Sequence, residues 1–331
     1  MSRMPGWPAV LALYPARARP IAPPEPLGNA GGLSGARLWR FASGVGPLVA
    51  RAWPVDGPDL ASLGRVHGWL AEAGDLGFLP VPIPTLDGRT AVPDDGRIWE
   101  VAPWMPGAAD PGRPPPRLRL RAAFAGLAAF HARLGRHRFE GTSPGLAARL
   151  GDVRGLILDE FAAIRSALAL ARDRADPRAG LAARWLDRAE PLAPALLGVL
   201  GAASARVLPL QPCLRDARPD HFLFDGDRLT GLVDFGAMGR ETVAADLARL
   251  LAESVGPDRP SRLEALAAYE AVRPLAPPEA ATIPTFERAN ALLGAGRWAR
   301  WHFLDRRTFD DPDAVRLGLL RGLERLEEGN L

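Results

Sequence analysis

Along residues 59–73 apolar side chains recur with helical spacing, placing Leu60, Leu63, Val66 and Leu70 on one face. The same period predicts helices over residues 118–134, 155–171, 181–200, 243–254, 261–269 and 286–304. Before residue 105 the apolar runs are shorter and extended. Residues 36–42, 48–53 and 98–104 read as strands, and Asp87-Gly88 and Asp95-Gly96 read as turns around further short strands. Pro80, Pro82 and Pro84 keep their stretch extended, because a residue preceding proline avoids the α region. One strand-rich insertion, residues 207–235, interrupts the helices. The pattern predicts an α+β chain with a small β-rich N-terminal lobe over residues 1–105 and a large, mostly helical C-terminal lobe over residues 106–331. Residues 1–24 form an arm, irregular where proline crowds from residue 20 onward.

Composition narrows the class. At 47% hydrophobic and 24% charged, the chain resembles an ordinary globular protein. No stretch approaches the roughly 20 apolar residues of a membrane helix, and the apolar piece at residues 7–14, broken by Pro8, makes a poor signal peptide. Cys213 is the single cysteine, which excludes an intrachain disulfide and points to a reducing cytoplasm. By spacing, Cys213 and the five histidines form no ligand cluster. All 41 residues counted as Lys or Arg are arginine, so any step that ordinarily uses lysine falls to arginine here. The pI is about 9.9, yet the net charge is only +3 and the arginines alternate with acids. Charge therefore gives no support to a nucleic-acid surface.

The residues best suited to chemistry lie between 211 and 247. Leu214-Arg215-Asp216 precedes His221 and a strand ending at Asp225-Gly226-Asp227; a second strand then leads to Asp234-Phe235-Gly236. A short hairpin returns the chain near its start, which brings Asp234 toward the loop holding Asp216 and His221. Two carboxylates at one mouth suit phosphoryl transfer, one orienting a hydroxyl and the other holding a metal on the phosphates. Read blandly, the two are solvated loop aspartates and His221 is a packed histidine at a strand start. Near the C-terminus, Arg297, Trp298, Arg300, Trp301, His302 and Asp305 either line an acceptor pocket or simply pack.

On these motifs the chain resembles the aminoglycoside phosphotransferase and choline kinase-like family of the protein-kinase-like superfamily. The resemblance implies a two-lobed fold and an ATP-dependent kinase acting on a hydroxyl of a small molecule. It places Asp216 on the catalytic aspartate, Asp234 on the metal-binding aspartate, and Asp246 on the aspartate that braces the catalytic loop. It places Gly31, Gly32, Ser34 and Gly35 in the turn over the nucleotide, Arg51 on the phosphate-binding lysine, and Ala102 to Trp104 against the adenine. ATP would lie between the lobes, with Mg²⁺ or, given histidine in the ligand set, Mn²⁺. The chain departs from the family pattern at Leu214 (for histidine), at His221 (for the asparagine ligand), and at Arg51 (for lysine). It also lacks the acid expected on the first helix, whose inward positions are Val66 and His67, Glu72 lying at the wrong end. Arginine grips phosphates with a bidentate fork, so Arg51 is compatible with the role. The departures leave a second reading open, a non-catalytic, pseudokinase-like protein that binds a nucleotide or a partner.

Overall fold

Along β3 (Gly46–Trp53), Leu48, Ala50 and Ala52 are buried while Val49 and Arg51 between them are only half covered. This two-residue period gives the strand one core face and one face open to a ligand. β3 is the middle of an antiparallel five-stranded sheet in the order β1-β2-β3-β5-β4, formed with β1 (Glu25–Gly28), β2 (Arg37–Ser43), β4 (Val92–Asp94) and β5 (Arg97–Pro103). Helix α2 (Leu60–Glu72) follows β3; Asp59 caps its start by accepting the Ser62 amide at 2.7 Å. Leu63, Val66 and Leu70 are buried as their spacing predicts, and so is His67.

The computed structural model describes residues 7–28, 35–110, 112–173, 176–309 and 311–328. Contacts group them into two units: Met1–Asp110 with Asp220–Met238, and Pro111–Pro219 with Gly239–Leu331. The hairpin that reading along the chain assigns to the C-terminal lobe is thus grouped with the N-terminal strands. The arm is irregular over residues 20–24, within the stretch expected to be so, and structured before it. It contains α1 (Trp7–Ala12), and Val10, Leu11 and Tyr14 share one core with Phe41, Leu48, Trp99 and Val101. Arm burial of this kind is driven by apolar area, which the prolines of residues 20–26 do not oppose. β1, at the end of the arm, adds an edge strand to β2.

A second sheet in the N-terminal unit runs β10-β9-β6, from β6 (Ala108–Ala109), β9 (Phe222–Asp225) and β10 (Arg228–Leu232). Gly107 leads into β6 at φ +97°, and a Cβ there would lie 2.6 Å from the Phe224 carbonyl oxygen, so only glycine fits.

The helical unit contains α3 (Arg117–Arg133), α4 (Pro144–Gly155), α5 (Phe161–Asp173) and α6 (Arg178–Ser204), followed by α7 (Val243–Ser254), α8 (Arg259–Glu270), α9 (Pro277–Ala299) and α10 (Ala314–Glu328). π-helical turns at Leu156–Glu160 and Arg300–Leu304 extend α4 and α9. Its sheet runs β11-β8-β7, from β7 (Phe139–Thr142), β8 (Val207–Cys213) and β11 (Gly239–Glu241). α10 was not predicted, because Gly318 and Gly322 weaken its helical signal. Both glycines have a packing reason: a Cβ at Gly318 would strike the Trp298 ring at 2.1 Å, and one at Gly322 would meet the Ala295 amide at 2.4 Å. No helix among the described residues is long and apolar enough to cross a membrane.

Candidate active site

In the helical unit, β8 delivers the chain to Leu214-Arg215-Asp216. The first turn of α7 answers it with Asp246, which is fully buried. Asp246 accepts the Leu214 amide at 2.8 Å on Oδ2 and the Arg215 amide at 2.7 Å on Oδ1. His131 Nε2 lies 3.0 Å from the same Oδ2. A carboxylate only accepts, so Nε2 carries the proton and Nδ1 accepts from the Tyr269 hydroxyl at 2.8 Å. Burial holds the His131 pKa below its ordinary value, although Asp246 pulls the other way, and the ring is neutral. These donors, together with the helix N-terminus, compensate the buried charge.

The brace has a local cost. Arg215 sits at φ +65°, a left-handed conformation costing an L-residue roughly 1–2 kcal/mol. The hydrogen bond its amide donates to Asp246 holds it there, and its guanidinium lies over Gly239, where a Cβ would come within 2.9 Å. Asp216, next in the chain, has a part-exposed side chain whose Oδ1 is 3.3 Å from Arg249 Nη2. Arg249 stands one turn beyond Asp246 on the same helix, so α7 steadies the loop backbone and touches its carboxylate.

In the N-terminal unit, β3 and β5 set Arg51 directly opposite Glu100. Arg51 Nη1 is 3.6 Å from Glu100 Oε1, and its guanidinium lies 4.9 Å from the Trp53 ring centroid. Glu100 Oε2 is 2.8 Å from His67 Nε2, and His67 Nδ1 is 2.7 Å from the Thr90 hydroxyl. Burial alone would push the Glu100 carboxyl up. The His67 hydrogen bond and the Arg51 charge outweigh burial and hold it below the usual carboxylate range. The acid that faces Arg51 is thus on the neighbouring strand, and the helix contributes His67 as its second partner. Spacing along one helix could not reveal this, since it depends on the β3–β5 register.

The hairpin of β9 and β10 turns at Gly226, at φ +60°. Its base is closed by the Val233 amide donating to the His221 carbonyl at 2.9 Å. This register brings His221 Nε2 to 3.6 Å from Asp234 Oδ2. Asp234 sits at φ +65° with its side chain half exposed, while Phe235 behind it is buried. A Cβ at Gly236 would lie 2.7 Å from the Trp53 ring, so glycine lets this loop settle against β3 two residues from Arg51. Among the described contacts the Asp234 carboxylate makes no short hydrogen bond. An uncommitted oxygen pair beside an imidazole nitrogen is a donor set that fits a divalent cation.

Other candidate residues lie as follows. Gly31, Gly32 and Ser34 fall outside the described residues; Gly35 lies just before β2 at φ +70°. Ala102 pairs with Val49 in the ladder, and the Trp104 amide donates to the Pro47 carbonyl at 3.0 Å, so that amide is already used. Spacing predicted no histidine–cysteine cluster, yet His131, Cys213 and Asp246 have ligand atoms within 4.8 Å of one another. The fold, not sequence proximity, assembles them. The cluster is already committed: the Asp246 oxygens take the donors above, and the Cys213 thiol donates to the Glu241 carbonyl at 3.2 Å. Burial pushes the Cys213 thiol well up, away from the thiolate a metal needs. Trp298 and Trp301 pack with each other and with Phe309, and Arg307 lies over Trp301 and Phe309, which favours packing over the acceptor pocket suggested for them.

The model of the phosphotransferase enzyme family (APH) matches residues 27–282. A homoserine kinase of Beijerinckia indica is 37% identical over 118 residues, which span 32% of this chain and 37% of that enzyme. The crystal structure of an aminoglycoside phosphotransferase from Alicyclobacillus acidocaldarius superposes with a TM-score of 0.63 at 19% identity, covering 99% of this chain and 94% of its own. The amicoumacin kinase hAmiN, solved with AMP-PNP, Ca²⁺ and Ami, gives a TM-score of 0.63 at 15% identity over 98% of this chain and 92% of its own. At such identities the two structures establish the protein-kinase-like fold. The chain belongs to the phosphotransferase enzyme family.

Proposed function

We propose that the chain is an ATP-dependent kinase that transfers the γ-phosphoryl group to a hydroxyl of a small molecule. The observation that carries the reading is the Asp246 brace, which fixes the backbone of the loop immediately before Asp216 and leaves the Asp216 carboxylate part-exposed. Asp216 orients the acceptor hydroxyl and takes its proton as the oxygen attacks. Arg51, aligned by Glu100, grips the α- and β-phosphates with its fork. Residues 31–35, where the resemblance puts the nucleotide turn, would cover the nucleotide, and Ala102 and the carbonyl of Trp104 would meet the adenine. Asp234 and His221 would hold a divalent cation, Mg²⁺ or Mn²⁺, which when bound offsets phosphate charge. A buried free Cys213 fits a reducing cytoplasm.

A non-catalytic, nucleotide-binding reading rests on the changed lysine, asparagine and helix acid, and Glu100 offsets the last of these. Calorimetry with ATP in Mg²⁺ and in Mn²⁺, followed by ADP release against alcohol acceptors, separates the two. Binding and acceptor-dependent turnover that collapses in Asp216→Ala is expected. ATP binding with no turnover, indifferent to Asp216→Ala, would establish the non-catalytic reading instead.

A further inference from the structure

The helical unit holds a cavity of about 320 Å³ among α7, α8, α9 and α10. That volume is at the lower end for small-molecule sites and suits a metabolite. Arg249, Arg262, Arg288 and Arg325 line it, against three glutamates. Glu287 is gripped by Arg262 Nη2 at 2.7 and 2.9 Å, and Glu328 is paired with Arg113 at 3.0 Å. Glu253 Oε1 must serve two guanidiniums, Arg249 at 2.8 Å and Arg325 at 3.3 Å. Arg249 also faces Asp216 at 3.3 Å, which leaves Arg325 the less closely paired of the two. Arg288 adds positive charge, exposed and with no ion pair among the described residues.

Two further features point the same way. Burial draws the Arg325 guanidinium below its ordinary range; Glu253 opposes this, but Arg249, Arg113 and Arg321 add to it, so cations crowd this wall. Arg325 Nε and Asn290 Nδ2 are buried donors with no hydrogen-bond partner among the described residues. Buried polar groups are rarely left unpaired, and both of these call for an acceptor atom. Arg249 joins the cavity wall to Asp216, at 3.3 Å.

We infer that this cavity receives the phosphate acceptor and selects a small alcohol carrying an oxyanion, a carboxylate or a phosphate. The inference rests on the phosphotransferase reading above and adds the substrate class. The surplus guanidiniums take the oxyanion, the orphaned donors complete its hydrogen bonds, and the hydroxyl is presented to Asp216. A polycationic acceptor would meet a wall whose arginines outnumber its glutamates four to three.

The test measures binding and turnover on the full chain with glycerate, homoserine, glycerol phosphate, glycerol and aminopropanol as probes. At least one of the three probes bearing an oxyanion is expected to bind about tenfold or more tightly than glycerol or aminopropanol. Carboxylate and phosphate probes in the same series show which oxyanion is preferred. Arg325→Gln should weaken the preferred probe about tenfold, and Arg288→Ala, at an exposed position where folding is not at risk, about threefold. Neither should move ATP affinity. Glycerol or aminopropanol binding as well as every oxyanion probe, or an oxyanion affinity unmoved by both substitutions, would overturn the inference. So would failure of all three oxyanion probes to bind at millimolar concentration. Loss of the phosphotransferase reading has a separate signature, absence of ATP binding or turnover, and leaves the oxyanion preference measurable on its own.

Discussion

The N-terminal and helical units treat their key ionic residues differently. In the helical unit a buried aspartate at a helix start anchors two successive backbone amides, so the loop before Asp216 is held through main-chain atoms. In the N-terminal unit, Arg51 is held by side chains alone: Glu100 from the adjacent strand, which is itself gripped by His67 of α2. A main-chain anchor constrains the identity of one residue and tolerates change at Leu214 and Arg215, whose amides do the work. A side-chain relay can be rebuilt by moving the acid to another element that faces the same spot. The contrast accounts for the changes at Arg51 and His67, which a side-chain relay absorbs, and at Leu214, whose amide alone is used, while Asp246 keeps the position the resemblance gives it.

Substitutions test this contrast, beginning with the largest effect. Asp216→Asn should lower turnover about a hundred- to ten-thousandfold while leaving ATP affinity within about twofold, read by steady-state kinetics and calorimetry. Asp246→Ala should act on folding first. It strips a buried carboxylate from three donors and should cost about 3–5 kcal/mol in a denaturant titration. If the loss is under about 1 kcal/mol, the loop is not held as described. Glu100→Gln keeps the size and frees Arg51, and should raise the dissociation constant for ATP about tenfold with turnover at saturation little changed. An equal fall in both would mean that Glu100 acts on more than the grip of Arg51.

The smallest effect is a pH dependence that sorts the two units. His131 has a folded pKa below its ordinary 6.5, so the unfolded chain binds the proton first as pH falls. Its contribution is complete above pH 6.5 and declines as pH drops from there toward the lowered value. Glu100, depressed from 4.5, contributes fully above pH 4.5 and loses that contribution as pH falls through its own lowered value. Thermal melts from pH 7.5 to 3.5 should therefore soften in two windows. Replacing His131 with Asn should flatten only the upper one, and Glu100→Gln only the lower.

Much of the frame was legible in the sequence because local rules agree with the fold. Residues 243–254 were expected to be helical and form α7 with those bounds, since their apolar stripe is strong and Thr242 precedes it. α9 begins at Pro277, well before the expected residue 286, because Pro277 and Pro278 start a helix and Pro284 lies within it, all of which read as breaks. α4 was missed for a related reason: Ser143-Pro144 is a start signal, but the helix it opens has only a weak apolar stripe. Among the residues suited to chemistry, the hairpin after the Asp216 loop was legible from local pattern, and the resemblance placed Asp246, which does accept the Leu214 and Arg215 amides. Glu100 and Arg249 could not be found in either way. The first acts through the pairing of β3 with β5, which leaves no mark in a linear reading, and the second is one arginine among many until α7 is set beside the loop.

Arg51 stands on β3 in a chain without a single lysine. Its guanidinium grips with a planar fork of donors where an ammonium would offer a compact point charge. It also offers no free amine. Nucleotide analogues that label kinases by acylating a side-chain amine will find none here, and a survey relying on such reagents would pass this protein by.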